Sequence, residues 1–136
     1  MSSVPVERRD TGELNVNTEA RRMCAYTLKI TANPKTFNTA HKDMIDMIRA
    51  DAIEICTLAW EANEIKVGQS GRRYERRMSL QEIAADKCNH LCCLIELAQP
   101  VFHIETRRKC HWKHMVEDVR NLIRGWHDSD AKRLKP

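Results

Sequence analysis

Apolar residues along this chain recur at helical spacing. From Ile45, the steps to Ile48, Ala52, Ile55, Ala59 and Ala62 run three, four, three, four, three. This heptad-like seam predicts a helix over about residues 39–63, and its alanines permit close helix approach. Before it, Ala20, Met23, Thr27 and Ile30 predict a helix over about 18–32, with Asn17 as N-cap and Glu19 in the first turn. Pro34 disfavours helix at Asn33 and ends that element. "EIKVGQSG", with Gly68 and Gly71, is the clearest loop in the chain.

Beyond the loop, Ala84, Cys88, Leu91, Ile95 and Ala98 mark a third helix over about 72–98. Ser79 and Glu82 also match a capping box, which would set a later start. Ile83, Leu94 and Leu97 form a second stripe beside the first. Pro100 and "VFHIE" make the next turn. The fourth helix, over about 106–128, carries the strongest periodic signal: Trp112, Met115, Val119, Leu122 and Trp126, flanked by Val116 and Ile123. Gly125 costs about 1 kcal/mol relative to Ala, and the pattern continues through it.

Four helices joined by short loops predict an all-α fold, an up-down-up-down four-helix bundle over residues 15–128. Residues 1–14, polar and charged with Pro5 and Gly12, read as a disordered arm, and "SDAKRLKP", 129–136, as a loose tail. The apolar arc of the third helix is wider than one bundle covers, and Ile53 and Trp60 lie off the seam of the second. Uncovered surface of that kind predicts a homo-oligomer.

Charge sharpens this picture. The net is +4 over 136 residues, unevenly spread. Residues 1–64 hold 8 Lys/Arg against 10 Asp/Glu, and residues 65–136 hold 15 against 9. The basic half points to an acidic partner, with nucleic acid first. No apolar run reaches the roughly 20 residues of a membrane span. "MSSVPVERRDTGEL" has no apolar core of the kind a secretory signal needs, so a cytoplasmic protein with reduced cysteines is expected.

Cysteine and histidine offer a metal reading. Cys88 and Cys92 are one turn apart, as are Cys110 and His114. Against it, no CxxC, HxxxH or ExxH pair is present, and Cys24, Cys56 and Cys88 fall where small core residues sit. No structural metal or cofactor is expected. An enzyme needs a nucleophile, a base and an orienting group, and no motif supplies the set. There is no phosphate-binding glycine loop either.

The basic residues remain. Arg72, Arg73, Arg76 and Arg77 open the third helix. Arg107, Arg108 and Lys109 open the fourth, followed by Lys113, Arg120 and Arg124. Cations at a helix N-terminus oppose the macrodipole, so both clusters are candidate phosphate contacts. The competing reading is a solvated face paired locally with Glu75 and Glu117. The two clusters should lie at opposite ends of the bundle. Little base specificity is expected, because no aromatic residue is obviously free to stack.

"LKITANPKTFNTAHKDMIDMIRADAIEICTLAWEAN" and "HWKHMVEDVRNLIRGW" resemble the first two helices and the last helix of a four-helix-bundle family. Its members include the accessory variability determinant proteins of diversity-generating retroelements, and the likeness covers about residues 20–128. The resemblance implies a barrel-like homopentamer without catalytic activity. Its partners would be the retroelement reverse transcriptase and template RNA, with DNA a further nucleic-acid partner. At +4 this chain is only modestly basic for that family, which shifts weight toward the protein contact. Related bundles encoded in ribosomal RNA intervening sequences, or a plain oligomeric scaffold, are the alternatives.

Overall fold

The computed structural model describes residues 11–136, with side chains from residue 16 onward. Its helices are α1 (Thr11–Thr31), α2 (Lys42–Glu64), α3 (Gly71–Phe102) and α4 (Thr106–Arg133), with a 3-10 turn at Thr39–His41 before α2. Each helix packs on its neighbours in the chain, and α1 closes the bundle against α4. Cross-helix pairs run in opposite order along α3 and α4: Glu82 meets His127, Asn89 meets Arg120, and Glu96 meets Lys113 and Lys109. Among the described residues, no helix is long and apolar enough to cross a membrane.

The seam of α2 is buried at every position named from its spacing, from Ile45 to Ala62, and so is the main stripe of α3 from Ala84 to Ala98. In α4 the buried line is rotated from expectation. It runs Trp112, Val116, Val119, Ile123, Trp126 and Asp130, while Met115 and Leu122 are only half-buried. The Trp112 indole N–H donates to Thr27 Oγ1 at 2.9 Å. That bond satisfies two polar groups buried in the core and lets a threonine sit on the inner face of α1.

Several boundaries differ from the sequence expectation. α1 begins at Thr11, so residues 11–14 of the expected arm are helical; residues 1–10 lie outside the described residues. Asn17 is consequently inside α1 and is not its cap. Ser70 caps α3, its side chain accepting from the Arg73 amide at 3.1 Å, so the later start at Ser79 is not used. Pro100 lies within the last turn of α3. The chain reverses after it at His103, in the left-handed conformation with φ 55°. Gln99 Nε2 staples the turn by donating to the Ile104 carbonyl and to Thr106 Oγ1.

The expected loose tail is the largest departure. α4 continues to Arg133, and Ala131 and Leu134 pack on a small cluster of Val67, Tyr74 and Met78. Asp130 is fully buried and paired with Arg77.

Of the off-seam apolar residues, Ile53, Trp60, Ile83 and Leu97 are exposed, together with Met47, whereas Leu94 is buried. The second stripe on α3 is therefore partly core and partly surface.

Candidate nucleic-acid interface

The two basic clusters occupy different poles, separated by the length of α3. At about 1.5 Å per residue that distance is roughly 45 Å.

At the pole where α3 begins, the loop after α2, the first turns of α3 and the last turn of α4 come together. The joint is the pair Arg77–Asp130. Arg77 Nε lies 2.8 Å from Asp130 Oδ2, and Nη2 lies 3.3 Å from Oδ1. Arg77 Nη1 donates to the Ile65 carbonyl at 3.0 Å, and the guanidinium sits over Trp126, 5.3 Å from the ring centroid. Gln81 Nε2 donates to the same carboxylate at 2.6 Å. Arg77 is therefore a buried structural residue and not the phosphate contact its place in "RRYERR" suggests. The physical reason is desolvation: a guanidinium this enclosed is stable only against a matched carboxylate.

Its neighbours face outward. Arg72, Arg73 and Arg76 are exposed. Lys66, from the loop, lines a cleft of about 420 Å³ with Arg73, Arg76 and Glu64. The ordered end of α4 adds Lys132, Arg133 and Lys135 to the same pole. Setting aside Arg77 and Asp130, residues 66–77 and 129–136 hold seven cations against one acid, Glu75. α2 contributes two more acids, Glu61, 4.0 Å from Arg76, and Glu64 on the cleft wall. Sequence reasoning missed Lys66, Lys132, Arg133 and Lys135. The signal available for the last three was Ala131 and Leu134, which extend the apolar line of α4 once Asp130 is allowed on it.

The pole where α4 begins is more neutralised. Lys109 and Lys113 both reach Glu96, at 3.1 and 2.8 Å. Those bonds, from Lys113 first and Lys109 second, hold the Glu96 carboxyl below its ordinary 4.5 and raise Lys113 in return. Arg107 and Arg108 are exposed and make no ion pair among the described residues. Arg120 donates to Asn89 Oδ1 at 3.0 Å. Arg124 lines a small cleft between α3 and α4 with Gln81, Glu82 and His127. The expected second patch thus reduces to Arg107 and Arg108, with Arg120 and Arg124 set along the α3–α4 groove.

Cysteine and histidine form no comparable centre. Among the described residues, no group of three or more His, Cys, Asp or Glu side chains is placed to hold a metal ion. Cys88 is buried, and its thiol is pushed up to about 12 by desolvation. Burial pushes Cys56 to about 12 as well. A thiol held neutral in this way is a poor nucleophile. His90 Nδ1 lies 2.5 Å from Asp51, a buried carboxylate that Lys87 also approaches at 3.8 Å. Spacing along the chain gives no sign of this pair, since its members sit on different helices.

Comparison with protein-family models, curated proteins and solved structures finds no match.

Proposed function

We propose that this chain is a non-catalytic, nucleic-acid-binding adaptor, built as an up-down-up-down four-helix bundle that grips phosphates at the pole where α3 begins. The observation that carries the reading is the excess of exposed cations there, seven against Glu75 within the two segments and Glu61 and Glu64 at the end of α2. Arg72 and Arg73 stand in the first turn of α3, where the helix dipole opposes them, so their placement has an energetic cost that a bound anion offsets. Lys132 and Arg133 sit at the C-terminal end of α4, where the dipole favours cations. They add charge without arguing for a ligand by themselves.

The resemblance to accessory variability determinant proteins supports a specific setting: a cytoplasmic partner of a retroelement reverse transcriptase and its template RNA. Self-association belongs to the same proposal, with Met47, Ile83 and Leu97 as apolar surface for a neighbouring subunit and a pentamer as the form the resemblance implies. The second reading, a bundle of the ribosomal RNA intervening-sequence kind, is favoured by the same helix order. A reverse transcriptase gene beside this one, with paired template and variable repeats, supports the first. A location inside a ribosomal RNA gene supports the second.

The test is a binding titration with RNA at several salt concentrations. Phosphate contacts release condensed counterions, so affinity should fall linearly on a log–log plot. Replacing Arg72, Arg73 and Arg76 together with Gln should leave the fold intact, because all three are exposed. Every phosphate bond removed in this way should flatten the slope by about 0.7 to 0.9. Replacing Arg107 and Arg108 should change it less. No binding at low salt, or a slope unmoved by the triple replacement, overturns the assignment.

A further inference from the structure

We infer that Trp60 is a base-stacking residue, and that the ligand of the basic pole is a single strand rather than a duplex. The inference rests on the nucleic-acid reading above and deepens it.

Trp112 and Trp126 are enclosed in the core, but Trp60 is 55% exposed on the last turns of α2. It lines a groove of about 280 Å³ between α1 and α2 with Ala20, Arg21, Cys56 and Thr57. Glu61 lines the same groove and reaches across to Arg76 on α3. Arg76 in turn lines the cleft that holds Lys66 and Arg73. The exposed indole therefore shares its groove with Arg21 and Glu61, and the Glu61–Arg76 pair links that groove to the cleft of Lys66, Arg73, Arg76 and Glu64. An exposed aromatic face with one cation in its groove and three more in the adjoining cleft suits a single strand, with bases stacking on the ring while cations follow the backbone. A duplex keeps its base faces inside its own stack and gains nothing from such a ring.

Charge disfavours a two-fold self-contact of this face, and a ring contact would have to bring a different face of the neighbour to it. A second copy docking this face on itself across a two-fold would set Arg21 and the cleft cations against their own equivalents. A polyanion meets Arg21, Lys66, Arg73 and Arg76 there, against the two carboxylates Glu61 and Glu64.

The experiment uses the full chain, an unstructured RNA oligonucleotide of about 12 nucleotides, within the site sizes single-strand binders use, and a hairpin duplex of equal charge. Trp60 is the exposed indole among three, so its fluorescence should quench as the single strand binds. Trp60→Ala should weaken single-strand binding by about 5- to 150-fold, and Trp60→Phe by less. Neither should flatten the salt slope, because every cation that meets a phosphate is still in place. Duplex binding should be weaker in the natural chain and insensitive to Trp60→Ala.

If the natural chain binds neither probe at low salt, the nucleic-acid reading fails and takes this inference with it. Salt-dependent binding of both probes, with emission and affinity indifferent to Trp60, leaves that reading standing and overturns the stacking role. Emission that shifts with protein concentration alone, with a scattering mass that falls in Trp60→Ala, assigns the groove to a second copy and also overturns it.

Discussion

Removing the Asp130 carboxylate tests both the fold and the basic pole. Asp130 accepts from Arg77 Nε and Nη2, Gln81 Nε2 and Arg133 Nη2, at 2.6 to 3.3 Å. The side chains of the Arg77–Asp130 pair are 5% and 0% exposed. Asp130→Ala takes this counter-charge away from a buried guanidinium that keeps its Ile65 and Trp126 neighbours. Breaking one side of a buried pair costs about 3–5 kcal/mol. Against a total stability of about 5–15 kcal/mol for a domain of this kind, that is a large share. It should lower the melting temperature by about 10–20 °C. Replacing the whole network with apolar residues, Arg77→Met and Gln81→Met with Asp130→Leu, should recover most of the stability, because desolvation of two charges is avoided and no buried amide is left unpaired. Deleting residues 130–136 should cost more than Asp130→Ala, since Ala131 and Leu134 also leave their cluster, whereas a loose tail would cost almost nothing. Urea unfolding followed by helical circular dichroism measures each of these variants against the natural chain. High salt should change the cost little, since an enclosed pair is poorly screened. A cost within about 0.5 kcal/mol for Asp130→Ala, the range of an ordinary surface change, would refute the claim that this pair ties α4 to α3.

The thiols give an independent reading of the core. Cys93 and Cys110 are exposed and should react with a thiol reagent at once, buried Cys88 should react only on unfolding, and half-buried Cys56, its thiol held neutral up to about 12, should react more slowly than the exposed pair. At the other pole, carbon-detected NMR should show the Glu96 carboxyl titrating below 4.5, and Lys113→Met should move it back up. By sign, a depressed carboxyl contributes stability present above its unfolded value and lost as pH falls through its folded one, so the Glu96 bridge should open only in acid. Light scattering at micromolar concentration should give a multiple of the 15.8 kDa chain, falling when Met47, Ile83 and Leu97 are made polar. A monomer throughout would refute self-association.

The legible and illegible parts of this bundle differ in physical kind. The α2 seam and the α3 stripe could be read because burial there needs only apolar residues at steps of three and four. In α4 the same rule puts Met115 and Leu122 on the inner line in place of Val116 and Ile123, a rotation of about one position. The line that is buried ends in Asp130, which a search for apolar residues discards. The matching line on α3 runs back from Ala84 through Gln81 to Arg77 and Tyr74, and is discarded for the same reason. Taken singly, Arg77 and Asp130 must read as surface, because an isolated charge in the core is prohibitively costly. They become core residues only as a pair, and 53 positions separate them. That separation conceals both errors at the basic pole. Arg77 reads as a phosphate contact although Asp130 holds it inside, and Lys132, Arg133 and Lys135 read as a stray tail although the same pair docks them. Trp60 is concealed in a different way: its position off the seam could be read as exposure, but Arg21 in its groove comes from α1, and the cations of the adjoining cleft come from α3 and a loop. The grip proposed here is thus a consequence of the pair, which draws one arginine of "RRYERR" inward and leaves three facing the solvent.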